Sequence, residues 1–130
     1  MAKIPIDTIP PGPPAPYTRG IKVGNWVFLS GVTPYDSEGN LVGGGLWPDA
    51  EKQATQVYEN IKALLEAAGA SMDDVVMSRT YLTNREHMST FHKVRNRYYK
   101  KLPPCSTAVV TGLLREGAFL EVEVLAVIEE

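Results

Sequence analysis

The chain has 130 residues, 22% of them charged, and a formal net charge of −2, which suits one domain of roughly 100–150 residues with its own core. That balance gives no global pull toward nucleic acid or an anionic membrane, and no apolar run nears the ~20 residues that span a bilayer. One cysteine rules out an intrachain disulfide, and with two histidines no metal-ligand cluster stands out, so a cytoplasmic protein without bound metal is expected.

Residues 1–16 carry Pro5, Pro10, Pro11, Pro13, Pro14 and Pro16. Proline fixes φ and removes a backbone donor, so this stretch reads as an extended arm, without a secretory apolar core, ahead of a domain over residues 17–130. Ile21–Val23 and Trp26–Ser30 read as strands joined by a tight Gly24-Asn25 turn. A second turn falls at Asp36–Asn40, and the run Gly43-Gly44-Gly45 lacks the Lys-Ser/Thr ending of a phosphate loop. Asp49–Ala68 is the clearest helix, with Ala54, Val57, Ile61, Leu64 and Leu65 on one stripe and Gly69 as its stop. Val75–Leu82 is a strand. Thr83 with Glu86 offers a capping box for a second helix that reaches about Lys100 before Pro103-Pro104. Ser106–Thr111 and Ala118–Ile128 close the chain as strands.

This order predicts an α+β fold, a mixed sheet with both helices packed on one face. The last strand is apolar on both sides. Leu120, Val122, Val124 and Ala126 point one way, and Phe119, Leu125 and Val127 the other. Two helices cover one face only, so the second is expected to meet other subunits. Glu121 and Glu123 share that second face. A carboxylate there must be paired, solvated or neutralised, and desolvation suits it to exchange protons near neutral pH. From spacing alone, a structural ion pair is the favoured reading of both. The basic residues Arg85, Lys93, Arg95, Arg97, Lys100 and Lys101 spread around the second helix without an aromatic stacking platform, which favours a solvated surface over an RNA footprint.

From about Ala15 to Val127 the chain resembles the Rid family of enamine and imine deaminases, also called YjgF or L-PSP. The resemblance rests on Ala15-Pro16-Tyr17, Val23–Gly31, Glu59–Ala70, Met72–Val76 and Gly117–Val127, in that order and spacing. It implies a chorismate mutase-like fold, a homotrimer whose sheets form an inner barrel, and a cofactor-free hydrolysis of a small-molecule imine in a cleft between subunits. It implies that Glu121 is the proton-transfer residue, with Tyr17, Ser30 and Gly31 in contact with substrate. The family's Pro-x-Arg, whose arginine grips the substrate carboxylate, is matched to Pro104-Cys105-Ser106, which sets Ser106 at the arginine's position. Arg19 and His92, the latter where the family commonly has asparagine, are the expected substitutes for the missing cation. Serine there points away from the small substrate 2-aminoacrylate toward a bulkier one. A non-catalytic trimer that binds a metabolite or protein partner is the alternative, and a ribonuclease the third reading.

Overall fold

The computed structural model describes residues 1–6 and 15–129. It is α+β, with one six-stranded mixed sheet and two helices on one of its faces. The strands are β1 (Ile4–Pro5), β2 (Gly20–Val23), β3 (Trp26–Leu29), β4 (Val75–Leu82), β5 (Cys105–Val110) and β6 (Leu120–Val127). The helices are α1 (Ala50–Ala67) and α2 (Met88–Arg95). Spatial order is β1-β2-β3-β6-β4-β5, so the last strand lies inside the sheet, between β3 and β4. Among the described strands only β4 and β5, joined through α2, pair in parallel.

Local chemistry explains the element ends. Gly24 takes φ +57 while Asn25 keeps a negative φ, the pattern of a type II′ hairpin turn. The Asp49 carboxylate caps α1 by accepting the Lys52 N–H at 2.9 Å. Gly69, at φ +82, releases the chain after α1. The stripe Ala54, Val57, Tyr58, Ile61, Leu64 and Leu65 is buried against Val27 and Leu29 of β3 and the even-numbered residues of β6.

The second helix differs from its expected form at both ends. The Asn84 side chain, rather than Thr83, caps the start by accepting the Glu86 N–H at 2.8 Å. The Thr83 N–H instead extends the ladder to the Phe119 carbonyl at 3.0 Å. A 3₁₀ turn, Arg85–His87, then leads into α2, which stops at Arg95. Arg97 and Tyr98 N–H groups bond three residues back, to Val94 and Arg95, and such bonds tighten a last turn until it no longer propagates. Tyr98 and Tyr99 still serve the core, packing their rings on Tyr58 at centroid distances of 5.1 and 6.1 Å.

The start of the arm is part of the sheet. Ile4 and Pro5 pair with β2, an edge position where proline's missing N–H does no harm, and Ile6 is buried in the core. Pro10, Pro11, Pro13 and Pro14 lie outside the described residues. On the face away from the helices, Trp26 and Phe28 are 48% and 46% exposed in the single chain and stack at 6.2 Å.

One buried polar side chain closes the core beside β6. Gln53 is fully buried. Its amide donates to the Gly117 carbonyl at 2.9 Å and its oxygen accepts the Phe119 N–H at 2.7 Å. Leucine at 53 keeps the volume but strands both backbone groups, so Gln53→Leu lowers unfolding free energy by about 1–3 kcal/mol. Urea titration at fixed protein concentration measures this, and an unchanged midpoint refutes it.

Candidate active site

Glu121 is set by pairing on both of its flanks. On one side Tyr81 of β4 lies directly opposite it. On the other, the β3–β6 ladder runs from Phe28–Leu125 to Val32–Val122. That step takes four residues on one strand and three on the other, a bulge at Leu29–Gly31. The bulge brings Gly31 against the acid: a Cβ at this glycine would run into the Glu121 carboxylate. A side chain here would displace the carboxylate from where it stands, so the constraint at Gly31 is close approach and not backbone angle.

The same bulge holds the substrate-binding candidates of the N-terminal segment. The Ser30 N–H donates to the Arg19 carbonyl at 2.9 Å, and the Ser30 hydroxyl donates to the Thr18 carbonyl at 2.6 Å. Tyr17, half exposed, carries the Arg19 guanidinium 6.0 Å from its ring centroid. Tyr17, Arg19, Ser30, Gly31 and Glu121 thus form one contiguous group. Because the Ser30 proton is committed to a carbonyl, this serine meets a ligand as an acceptor.

Ser106 and His92 do not belong to that group within one chain. In the parallel β4–β5 register Ser106 lies beside Ser78, on the helix-facing side, and Cys105 lies beside Met77, on the face of Glu121. Any residue of this segment that shares the acid's face is therefore Cys105, not Ser106. Even Cys105 stands four residues along β4 from Tyr81, about 13 Å at the rise of a strand. The β5 residue level with Glu121 is Val109. His92 is exposed on α2, in the helix layer across the sheet from Glu121, with its ring beside Phe91.

A cavity of about 250 Å³ opens over the acid, lined by Gly31, Tyr81, Glu121, Glu123 and the loop Thr111–Leu114. Leu113 and Leu114 make part of its wall apolar. A larger cavity of about 510 Å³ runs along the outer side of α1, past Glu51, Lys52 and Glu59, but no site chemistry converges there. Among the described residues no group of His, Cys, Asp and Glu is arranged to hold a metal ion.

The two carboxylates of the face are furnished differently. Tyr81 donates its hydroxyl to Glu123 Oε1 at 2.5 Å, and Arg79 Nη1 stands 3.7 Å from the same oxygen. Among the described residues no side chain donates a hydrogen bond to Glu121. Desolvation, and secondly the charge of Glu123, push the Glu121 carboxyl above its ordinary range, while Arg115 opposes the shift. Sequence reasoning missed Tyr81, Arg79 and Arg115. The alternation of β4 places Arg79 and Tyr81 on one face, but only the β4–β6 register shows that this is the face of the acids.

A sequence profile described as Endoribonuclease L-PSP matches residues 9–128. The chain is 40% identical over 116 residues to a RutC family protein of Saccharolobus solfataricus, covering 89% of this chain and 90% of the relative. It is 38% identical to a RutC family protein of Pyrococcus abyssi, with 89% of each covered. Among solved structures it superposes on RidA from the Antarctic bacterium Psychrobacter sp. PAMC 21119 with a TM-score of 0.85 and 34% identity, covering 95% of this chain and 98% of that one. YyfA from Yersinia pestis, described as a protein of unknown function of the conserved Rid protein family, gives a TM-score of 0.89 at 32% identity, covering 98% and 100%. E. coli TdcF with bound serine gives 0.88 at 29% identity, with the same coverage.

The raised carboxyl has a consequence for stability. Its folded-state pKa lies above the unfolded one, so folding binds the proton, and its contribution is whole below about pH 4.3 and lost as pH rises through the folded value. Glu121→Gln therefore matches the wild type in acid and becomes progressively more stable than it toward neutral pH. Thermal unfolding midpoints across that range measure the gap, and a constant or inverted gap contradicts the assignment.

Proposed function

The chain belongs to the Rid family, described also as Endoribonuclease L-PSP and as RutC, and from that membership we propose that it is a hydrolytic deaminase of reactive enamines and imines. The observation that carries the proposal is Glu121: a half-buried carboxyl with a raised pKa, pressed on Gly31, without a side-chain donor among the described residues, at the floor of a cavity. A carboxyl whose hold on its proton is strengthened by burial can serve as both base and acid in one cycle.

The reaction is R₂C=NH + H₂O → R₂C=O + NH₃. Glu121 as carboxylate takes a proton from water while the water oxygen bonds to the imine carbon. The C=N π pair moves to nitrogen, and the carboxyl returns that proton to it, giving the carbinolamine R₂C(OH)NH₂. Glu121, again a carboxylate, takes the hydroxyl proton and passes it to the amine nitrogen, the oxygen pair forms C=O, and the C–N bond breaks as ammonia leaves. Tyr17 packs over the planar substrate and Ser30 accepts from its N–H, which is a matter of orientation. No metal or organic cofactor enters the scheme.

The segment Pro103–Thr107 contains no arginine, so on this reading the carboxylate grip of the family's typical enzyme is absent or supplied from elsewhere. Arg19 lies on the same contiguous group, and Arg115 acts on Glu121 through its charge. The apolar wall of Leu113 and Leu114 favours a substrate larger than 2-aminoacrylate. The proposed working form is a cytoplasmic homotrimer, supported by the uncovered Trp26 and Phe28 face. No helix of the described residues is long and apolar enough to cross a membrane.

A second reading, a non-catalytic trimer that binds a metabolite, draws support from the missing arginine and from the serine bound in TdcF. The ribonuclease suggested by the family's description ranks third. Lys93 and Arg97 of the basic helical segment are engaged by Glu51 at 2.9 and 3.5 Å, which leaves less charge for phosphates.

Sedimentation equilibrium at micromolar concentration is expected to give three chains per particle, and a stable monomer removes the cleft between subunits. With a panel of enamines generated in situ, Glu121→Gln keeps the trimer and lowers hydrolysis by about 10²–10⁴-fold. Turnover per assembled site that survives this change takes the catalytic role from Glu121. A trimer that binds such compounds without hydrolysing any of them establishes the second reading.

A further inference from the structure

Residues two apart on one strand face stand about 7 Å from each other, so Glu121 and Glu123 are neighbours in an environment that treats them unequally. Opposite them on β4 are Tyr81 and Arg79, in the pairs Tyr81–Glu121 and Arg79–Glu123. The Tyr81 hydroxyl does not serve the acid it faces. It reaches diagonally to Glu123 Oε1 at 2.5 Å, and Arg79 approaches the same oxygen at 3.7 Å. The phenol remains a donor there, since its hydrogen bond to Glu123 pushes its pKa up. Glu121 is left against the Gly31 backbone and the loop Thr111–Leu114.

The charged and titratable groups around Glu121 can be named element by element. β4 contributes Tyr81 and Arg79, β6 contributes Glu123, and the loop before β6 contributes Arg115. The segment before β2 contributes Tyr17 and Arg19, and the β3 bulge contributes Ser30 and Gly31, which do not titrate. The negative charge of Glu123 and the positive charge of Arg115 act on Glu121 with opposite sign.

We propose that Glu123 is a positioning residue for the deamination: its carboxylate, held by Tyr81 and Arg79, keeps the exchangeable proton on Glu121 in the resting site, so that Glu121 enters the reaction as an acid. This rests on the reading of Glu121 as the proton-transfer group. It deepens that reading by naming the enamine as the form first engaged. An enamine has no electrophilic C=N until its carbon is protonated. Protonated Glu121 gives its proton to the β-carbon, whose new C–H bond takes the C=C π pair, while the nitrogen lone pair forms the C=N bond of an iminium. The resulting carboxylate is then ready to take a proton from the attacking water. A resting carboxylate would lack that first proton. A desolvated carboxyl beside a second one held by a phenol and a guanidinium is an arrangement by which one site supplies both an acid and a fixed charge.

The test reads Glu121 directly. In trimeric protein labelled with ¹³C-glutamate, the Glu121 carboxyl resonance is assigned by its loss in Glu121→Gln and titrated from about pH 3 to 9. In Glu123→Gln the Glu121 midpoint is expected to move to lower pH. In Arg115→Gln it is expected to move to higher pH. Tyr81→Phe, which keeps both carboxyls but frees Glu123 to swing toward solvent, is expected to move it down by less than Glu123→Gln does. A merely structural role for these residues would loosen the site and carry the Glu123 and Arg115 variants in the same direction, toward an ordinary carboxyl. An unchanged midpoint in Glu123→Gln, or shifts of the same sign in both variants, overturns the proposal. No substrate is needed for these titrations. Opposite shifts in a protein that hydrolyses no enamine would therefore sink the deaminase reading while the carboxyl pair stands, and hydrolysis with an unmoved midpoint would do the reverse.

Discussion

The strand made last lies at the centre of the sheet. β6 enters between β3 and β4 and pairs with both, so its backbone groups are satisfied on two sides and its register is pinned twice. A one-residue slip would turn Leu120, Val122, Val124 and Ala126 out of the core and two carboxylates into it. The aliphatic face packs under α1, and that packing fixes where the acids stand on the other side. Gly31 and Tyr81 can flank Glu121 because the first lies in the bulge that follows β3 and the second on β4, the two strands between which β6 is inserted. Gln53 extends the same control to the approach of β6, by holding Gly117 and Phe119 from within the helix layer.

Unequal partners on one face follow from that register. Tyr81 faces Glu121 by pairing and serves Glu123 by reach, which a long aromatic side chain can do across a diagonal of the pleat. The acid deprived of its facing donor is also the one beside the bulge, where the ladder loses a regular pair and backbone comes close. Burial without a hydrogen bond is costly for a carboxylate. On the proposed reading, that cost is stability given up at Glu121 for proton transfer.

Much of the fold was legible because its signals are local. The stripe on α1, the Gly24-Asn25 turn, the stop at Gly69 and the alternation of β6 each lie within a few residues, and each is realised. The ends of the second helix were less legible. Thr83 and Asn84 are both capable caps, and the choice fell to Asn84 because the Thr83 N–H is drawn into the β4–β6 ladder. Ile4-Pro5 reads as part of an extended arm ahead of the domain, yet an edge position needs only one side of its hydrogen bonding and takes it into the sheet. The residues that the resemblance marks, Tyr17, Ser30, Gly31 and Glu121, are brought together by the fold. Their further surroundings were illegible where they depend on register. The face of Ser106, the diagonal from Tyr81 to Glu123 and the field of Arg115 arise from pairing residues tens of positions apart, which no local pattern encodes.

Register also bears on why such a site would need more than one chain. Glu121 sits level with Val109 on β5, whereas Cys105 lies about 13 Å back along the strands. Ser106 is turned to the helix side, and His92 lies in the helix layer beyond the sheet. No rotamer change bridges those separations, because each is set by backbone pairing. If the residues of the Pro103–Thr107 segment take part in the cleft that the family resemblance implies, they reach Glu121 from a neighbouring copy. The neighbour would approach over the face where Trp26 and Phe28 stand uncovered. On that reading the same contact buries the aromatic pair and completes the wall of the site, and further desolvation of Glu121 would tighten its hold on the proton. Assembly and proton transfer would then be one equilibrium rather than two.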